Sequence, residues 1–262
     1  MKIALMDSGI GLLPAAAAVR RMRPDADLVI SSDPDGMPWG PRTPEGITER
    51  ALAVARAAAA HGPDALIVGC NTATVHALSA LRAELEPRIP VIGTVPAIKP
   101  AAMGGGKVAI WATPATTGSP YQRGLIDDFA NGAEVTEVPC PGLADAVEHD
   151  DEAAVRRAVA AAAELTPPDV RAVVLGCTHY ELVAELIRSA LHRADGQPPV
   201  VLHGSAGAVA AQALRRIGAE ADPAAAPTGG LTVLLSGRTG ELPKAALSYA
   251  EGRSLAAAAT AR

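Results

Sequence analysis

Short runs of apolar residues alternate along the chain with longer, alanine-rich segments. The runs are continuously apolar rather than alternating, which is typical of strands buried on both faces of a parallel sheet. They predict strands at 2–6, 27–30, 65–68, 91–92, 107–111, 172–175, 200–202 and 231–235. Apolar positions at helical spacing predict helices over 43–60, 73–85, 152–165 and 181–191. This alternation predicts an α/β fold with mainly parallel, doubly wound sheets.

The sequence also contains an internal repeat. KIAL at 2–5 returns as KVAI at 107–110, and PVI at 90–92 returns as PVV at 199–201. Between these pairs, ALIVGCNTAT at 65–74 returns as AVVLGCTHYE at 172–181. Three echoes in the same order and at nearly the same offset predict two similar domains. We predict a first domain of residues 1–97 completed by 211–262, and a second domain of residues 98–210.

Composition restricts the classes of function. The chain has 262 residues and a formal net charge of −5, with no run of Lys or Arg that would bind nucleic acid. No stretch of 18 apolar residues occurs, so we expect no membrane partner. The N-terminus reads as a strand rather than a secretion signal, so we expect a cytoplasmic protein that acts on a small molecule. Oligomeric state stays open, with a homodimer as one form that the sequence allows.

The chain has three cysteines, Cys70, Cys140 and Cys177, which are too few for a disulfide framework and lack CxxC spacing. Cys140 lies between two prolines, and we expect it to be a packed thiol. Cys70 and Cys177 each follow a predicted strand and a glycine, and each precedes a helical segment. Ligands bind at this end of the strands in open α/β sheets. The positive end of a helix is expected to lower the pKa of a thiol placed there.

Duplicated halves that face each other would bring the two thiols to opposite sides of one ligand. One thiolate would remove a proton from carbon, and the opposing thiol would return a proton to the other face. The alternative for either cysteine is a thiol that only packs, but the matched pair favours the functional interpretation. The polar followers Asn71, Thr72 and Thr178 suit a carboxylate, together with the N–H groups of a helix N-terminus.

Further polar residues follow the first strand of each half. DSGIG at 7–11 lacks the full GxGxxG pattern and gives little support to dinucleotide binding. Asp7 can steer a proton and Ser8 can bind substrate, and the alternative is that both only form a turn and a helix cap. Thr113 and Thr116 offer hydroxyls at the matching position of the second half, or simply form a turn.

A histidine and a loop complete the set of candidates. His179, two residues beyond Cys177, can poise the thiol as an acid or cap a helix, and we favour the first role because the pKa of histidine lies near neutrality. The rigid loop Pro38-Trp39-Gly40 is either a substrate lid or a hydrophobic plug at the end of the sheet.

We expect no metal or organic cofactor. The remaining histidines show no metal-ligand spacing. The chain has four lysines, and two of them, Lys2 and Lys107, open strands, so neither is well placed to form a Schiff base with pyridoxal phosphate.

Together these residues resemble the aspartate/glutamate racemase superfamily, and within it the glutamate racemases most closely. The matching motifs are DSGIG at 7–11, Asp33 with PWG at 38–40, GCNTAT at 69–74, ATPAT at 112–116 with Ser119 and Tyr121, and GCTHYEL at 176–182.

The resemblance implies two pseudosymmetric domains with the active site in the cleft between them, and no cofactor. It implies racemisation of glutamate by two bases, Cys70 and Cys177, which supplies D-glutamate for peptidoglycan. Asp7 would assist Cys70, His179 would assist Cys177, and Glu148 would assist through a looser match in the segment GLADAVE at 142–148. The residues that would hold the amino acid are Ser8, Asn71, Thr72, Thr113 and Thr178.

The sequence departs from the family pattern at several positions. Gly36 stands where an arginine is usual, and Trp39 replaces a tyrosine. Glu181 stands where a proline is usual, Leu12 replaces a glycine, and an acidic position is replaced around 203–205. Since the loop changes alter the expected pocket wall, a racemase acting on aspartate, a hydantoin or a similar acid is the alternative.

Two other classes are less favoured. A decarboxylase of this superfamily typically needs one of the two cysteines, and this chain has both. A non-catalytic binding protein on the same scaffold does not explain the retained cysteines and His179.

Overall fold

The computed structural model describes residues 1–192 and 198–260. The chain forms two compact units, Met1–Val95 with Ala206–Arg262, and Pro96–Ser205. The repeat predicted slightly later boundaries. The predicted boundaries follow residues 97 and 210, whereas those of the structure follow residues 95 and 205. Within those ranges, residues 193–197 and 261–262 lie outside the described residues.

The strands are β1 (Lys2–Asp7), β2 (Asp27–Ser32), β3 (Ala65–Val68), β4 (Val91–Gly93), β5 (Lys107–Ala112), β6 (Val135–Pro139), β7 (Val170–Leu175), β8 (Val201–His203), β9 (Leu231–Leu235) and β10 (Arg238–Gly240). The α-helices are α1 (Leu13–Met22), α2 (Pro44–Ala59), α3 (Asn71–Leu85), α4 (Ile98–Met103), α5 (Pro120–Phe129), α6 (Leu143–Glu148), α7 (Glu152–Leu165), α8 (Ala184–Ala190), α9 (Ala206–Arg216), α10 (Lys244–Ser248) and α11 (Ala250–Thr260). Two 3₁₀ segments, Ile10–Leu12 and Thr178–Val183, precede α1 and α8.

The sheets confirm the predicted α/β class with mainly parallel strands. The first unit has a six-stranded sheet in the order β10-β9-β2-β1-β3-β4, and the second a four-stranded sheet in the order β6-β5-β7-β8. Only the β9/β10 pair is antiparallel among the described pairings. The order β2-β1-β3-β4 recurs as β6-β5-β7-β8, so the strands that the repeat relates occupy equivalent places.

Local sequence explains where several helices begin. Thr43 accepts a hydrogen bond from the Gly46 N–H at the start of α2, and Ser119 accepts one from Gln122 at the start of α5. Both helices have proline at a first-turn position, where its missing N–H has no intrahelical role. Asp151 caps α7 in the same way through the Ala154 N–H.

The predicted strands are all present, but two observed strands were not predicted. β6 is an edge strand in which only Val138 is fully buried, and β10 is exposed throughout. The predicted helix over 181–191 is wrong at its start. The chain instead forms the 3₁₀ segment Thr178–Val183, and α8 begins only at Ala184, because the backbone angles of Val183 depart from those of an α-helix. No described helix is long and apolar enough to cross a membrane.

A glycine ends the ladder of the third strand in each unit. Gly69 donates its N–H to the Met6 carbonyl at 2.7 Å, and Gly176 donates to the Trp111 carbonyl at 2.8 Å. A Cβ on Gly69 would lie 2.9 Å from the Leu12 side chain, and one on Gly176 would lie 2.7 Å from the Trp111 carbonyl oxygen. Both positions therefore need glycine, and the next residue of each unit is a cysteine.

The substitution Gly176→Ala is expected to lower the free energy of unfolding by about 1–3 kcal/mol, since the clash involves backbone and cannot be relieved by a rotamer. Urea denaturation measures the change. Gly124→Ala in α5 is the matched control, because no described atom outside its chain neighbours and its own helix backbone lies within 4 Å of its Cβ position. Alanine at this helical site should raise stability by roughly 0.5–1 kcal/mol. Equal effects of the two substitutions would contradict the steric explanation.

Candidate functional site

Each cysteine lies at the point where the strand order of its sheet reverses. In the first unit the chain runs from β1 to β2 on one side and then to β3 on the other, and the second unit repeats this with β5, β6 and β7. Ligands of open α/β sheets bind outside the carboxyl ends of strands at such switch points. Each unit therefore presents one thiol at the edge where a ligand is expected.

In the first unit, Asp7 ends β1 beside the Gly69–Cys70 step of the neighbouring strand. Its side chain is fully buried, and Oδ1 accepts hydrogen bonds from the Ser8 N–H at 2.6 Å and the Ser8 hydroxyl at 3.2 Å. The buried carboxylate is thus oriented by the residue that follows it.

Cys70 is the N-cap residue of α3 and is 8% exposed. Asn71 and Thr72 form the first turn of that helix, where backbone N–H groups lack intrahelical acceptors. Asn71 is buried and Thr72 is half-buried. The structure therefore brings the thiol, an amide and a hydroxyl to one helix N-terminus, as the sequence predicts.

In the second unit, three predicted residues form a connected chain. The Cys177 Sγ lies 3.8 Å from His179 Nδ1, and His179 Nε2 lies 2.8 Å from Glu148 Oε2. The His179 and Glu148 side chains are 10% and 12% exposed, so water screens their interaction little. When Nε2 carries the ring proton and donates it to this carboxylate, the unprotonated Nδ1 faces the thiol and can accept a proton from it.

The other polar candidates of the second unit follow the ends of strands β5 and β7. Thr178 is buried beside Cys177. The Thr113 and Thr116 hydroxyls lie 3.2 Å apart, and the Thr116 N–H donates to the Thr113 carbonyl at 2.9 Å. These two threonines form a turn and also place two half-buried hydroxyls after β5.

Cys140 is the packed thiol that the sequence predicts. It is 1% exposed, and its Sγ donates to the Val138 carbonyl at 3.6 Å. Burial, reinforced by the nearby Cys177, raises the pKa of Cys140 to about 12. Burial also raises the pKa of Tyr180, whose hydroxyl donates to the Cys140 carbonyl at 3.4 Å.

The loop after β2 takes the plug arrangement of the two alternatives. Trp39 is 1% exposed and belongs to the apolar core of the first unit, while its neighbours Pro38 and Gly40 are exposed. The Trp39 Nε1–H donates to Asp33 Oδ2 at 2.9 Å. The contribution of this loop to a pocket wall stays a prediction.

Asp33 forms a cluster that the sequence did not reveal. Besides Trp39, its buried carboxylate is bonded by the Ser236 hydroxyl at 3.0 Å and by Arg50 Nη1 at 3.3 Å. Ser236 is separated from Asp33 by 203 residues, so spacing offers no signal for this contact. A second unpredicted contact joins Glu181 to Ser205 at the end of β8.

Comparisons with known proteins agree on one family. A family model described as Asp/Glu/Hydantoin racemase matches residues 13–214. A glutamate racemase of Pseudomonas putida is 36% identical over 234 residues, which cover 87% of this chain and 85% of that protein.

Solved structures give the same family. The Escherichia coli glutamate racemase in complex with L-glutamate and the activator UDP-MurNAc-ala is similar with a TM-score of 0.75 and 28% identity, covering 88% of each chain. The Thermus thermophilus glutamate racemase in complex with β-chloro-D-alanine has a TM-score of 0.68 and 28% identity, covering 98% of this chain and 92% of that one.

Native protein treated with iodoacetamide at pH 8 is expected to leave Cys140 unmodified while Cys177 reacts. With a pKa of about 12, only about one Cys140 in ten thousand is a thiolate at that pH, and the thiolate is the nucleophile. Peptide mass spectrometry over time measures each cysteine separately. Denatured protein is the control, in which all three cysteines should react alike. Equal rates for Cys140 and Cys177 in the native protein would contradict the burial argument.

Proposed function

Because the chain belongs to the Asp/Glu/Hydantoin racemase family and is an amino-acid racemase, we propose that it interconverts L- and D-glutamate. The relatives named above support glutamate as the substrate. The observation that carries the proposal is the repeated strand–glycine–cysteine unit at the switch point of both sheets.

The proposed reaction uses one cysteine as base and the other as acid. A thiolate takes the Cα proton and becomes a thiol, and the electron pair of the C–H bond is delocalised into the substrate carboxylate. The second cysteine, as a thiol, returns a proton to the opposite face and becomes a thiolate. Because no electron sink takes part, hydrogen bonds to the carboxylate and exclusion of water must lower the barrier.

His179 and Glu148 would assist Cys177. Before Cys177 acts as the base, its thiol proton can pass to His179 Nδ1, which lies 3.8 Å from Sγ. Glu148 at 2.8 Å stabilises the resulting imidazolium and fixes the ring orientation. This relay resembles other nucleophile–base–orienter chains, in which the third group orients the second.

Asp7 would assist Cys70 through a different group. The first unit has Thr72 two residues beyond its cysteine, where the second unit has His179. The buried Asp7 carboxylate, held by Ser8, lies at the adjacent strand end and is the acid/base group available there. The two thiols would therefore be supported by unlike partners.

The remaining candidates would bind the amino acid rather than transfer protons. Hydroxyls, an amide and helix N–H groups suit the carboxylates and ammonium of glutamate. The proposed binding residues are Ser8, Asn71, Thr72, Thr113, Thr116 and Thr178, with Pro38 and Gly40 in the neighbouring loop. Trp39 would support that loop from the core.

Incubation with L- or D-glutamate in heavy water tests the substrate. We expect optical rotation to decay to zero and one deuterium to enter at Cα. The same assay with L- and D-aspartate tests the alternative substrate. Exchange with aspartate but not glutamate would move the assignment to a related racemase, and exchange with no amino acid would exclude the proposed reaction.

Cys70→Ser and Cys177→Ser test the two-base mechanism. Each is expected to lower kcat by about 10²–10⁴-fold, because a serine hydroxyl is a far weaker acid than a thiol. Cys140→Ser is the matched control and should keep near wild-type turnover, since that thiol is buried outside the proposed relay. Wild-type turnover in either of the first two variants would rule out the two-thiol mechanism.

Glu148→Gln tests the relay on Cys177. The amide can still accept from His179 but carries no charge to stabilise an imidazolium, so kcat should fall by about 10–100-fold. Glu152→Gln, an exposed carboxylate paired with Arg156, is the control and should leave kcat unchanged. An unchanged kcat for Glu148→Gln would remove Glu148 from the mechanism.

We further propose that the product D-glutamate serves peptidoglycan synthesis. Expression of the chain in a bacterium that requires external D-glutamate tests this role. Growth without the supplement is the expected outcome, and the Cys70→Ser variant should fail to restore growth.

A further inference from the structure

A hydrogen bond recurs in both units four residues beyond the cysteine. In the first unit the Thr94 N–H donates to Thr74 Oγ1 at 3.0 Å. In the second unit the Ser205 N–H donates to Glu181 Oε1 at 2.7 Å. Thr74 and Glu181 are the last residues of the repeated segments ALIVGCNTAT and AVVLGCTHYE, so the two bonds are equivalent by sequence as well as by place.

Both bonds lie where the chain leaves a unit. The first unit's N-terminal stretch ends at Val95, directly after Thr94, and the second unit ends at Ser205. The bonded residue follows the last repeated strand in each case, β4 in the first unit and β8 in the second. Each cysteine segment is therefore joined to the strand end that leads out of its own unit.

A glycine makes room for each accepting side chain. A Cβ on Gly93 would lie 2.8 Å from Thr74 Cγ2, and a Cβ on Gly204 would lie 2.4 Å from Glu181 Oε2. Each glycine directly precedes the residue that donates the hydrogen bond. The arrangement of glycine, donor N–H and accepting side chain is thus the same twice.

A hydroxyl strengthens each connection. The Thr94 hydroxyl donates to the Val68 carbonyl at 2.7 Å, two residues before Cys70. The Ser205 hydroxyl donates to Glu181 Oε1 at 2.9 Å. Thr94 and Ser205 are 1% and 4% exposed, so these bonds are shielded from water.

We propose that Thr74 and Glu181 are positioning residues, each of which fixes the location of the cysteine four residues before it. This inference rests on the proposed function, in which Cys70 and Cys177 transfer the proton. Thr74 donates its backbone N–H to the Cys70 carbonyl at 2.9 Å, and Tyr180, next to Glu181, donates to the Cys177 carbonyl at 3.0 Å. The turn that carries each thiol is therefore held by the strand before it and by the bond after it.

The physical reason is the sensitivity of proton transfer to distance. A thiol that shifts by about 1 Å relative to Cα can lose about 10²-fold in rate. A turn held at one end would allow such shifts, and a turn held at both ends would not. Glu181 contributes a carboxylate and Thr74 a neutral hydroxyl, so the bond in the second unit is the stronger of the two.

Primary isotope effects with Cα-deuterated L- and D-glutamate test the proposal. Loosening one cysteine makes its proton transfer more rate-limiting, so the isotope effect on kcat/KM should rise for the enantiomer it deprotonates and fall for the other. Glu181→Ala and Thr74→Val should shift the two effects in opposite senses. Each should lower kcat by about tenfold.

Conservative variants separate positioning from folding. Glu181→Gln and Thr74→Ser keep an oxygen acceptor and should recover most of the kcat lost in the alanine and valine variants. Gly204→Ala should act like Glu181→Ala, because its new Cβ displaces the carboxylate. Glu185→Gln, an exposed carboxylate on α8, is the control that should change nothing. Isotope effects that shift in the same sense in both variants, or do not shift, would overturn the proposal.

Alkylation of substrate-free protein keeps this test distinct from the test of the proposed function. Glu181→Ala should change the iodoacetamide rate of Cys177 by about threefold or more and leave Cys70 unaffected, and Thr74→Val should do the reverse. This pattern in a protein that does not racemise glutamate would sustain the positioning role while the substrate assignment fails. Racemisation with unchanged alkylation at both cysteines would overturn the positioning role alone.

Discussion

Both cysteines owe their location to the close approach of a glycine to the neighbouring strand. Gly69 and Gly176 each complete the last ladder hydrogen bond of a central strand, at places where a Cβ would collide with adjacent atoms. The ladder ends there, and the following residue becomes the N-cap of the next helical segment. A thiol at this point lies at the sheet edge, where the chain turns and backbone N–H groups are available to a ligand.

The sequence could predict most of the fold because the central strands are buried on both faces. Such strands are continuously apolar, and the eight predicted ones are all present. β6 was not predicted because it is a half-polar edge strand without a continuous apolar run. The repeat could have indicated it as the counterpart of β2. β10 offered no signal of this kind, since its three residues are all exposed and it pairs antiparallel at the sheet edge.

The sequence could identify site candidates only where a repeat, a local spacing or a family motif marks them. The two cysteines and His179 follow from the repeat and from local spacing, whereas Glu148 entered through the family resemblance alone. Its contact with His179 at 2.8 Å spans 31 residues of sequence, and no local pattern encodes it. The Asp33 cluster and the bonds of Thr94 and Ser205 also join distant segments, so they depend on packing that only the folded chain reveals.

At two of the departures from the family pattern, a glycine replaces the usual charged residue, but a charged side chain from another segment lies beside it. Gly36 stands where an arginine is usual, yet a Cβ there would lie 2.7 Å from Cζ of Arg50, whose guanidinium pairs with Asp33. Gly204 lies in the segment that lacks the usual acidic residue, yet its missing side chain leaves room for the Glu181 carboxylate. In both places a glycine on one segment accompanies a charged side chain supplied by another.

Trp39 fits the same pattern. Its ring is 1% exposed, and its N–H satisfies the Asp33 carboxylate, so its difference from tyrosine is accommodated inside the first unit. Because Trp39 is buried and hydrogen-bonded inside the unit, its replacement of tyrosine alters the packing of the core rather than the groups that face a substrate. The altered loop therefore weighs less against glutamate than the sequence alone indicates, and glutamate remains the substrate that we propose.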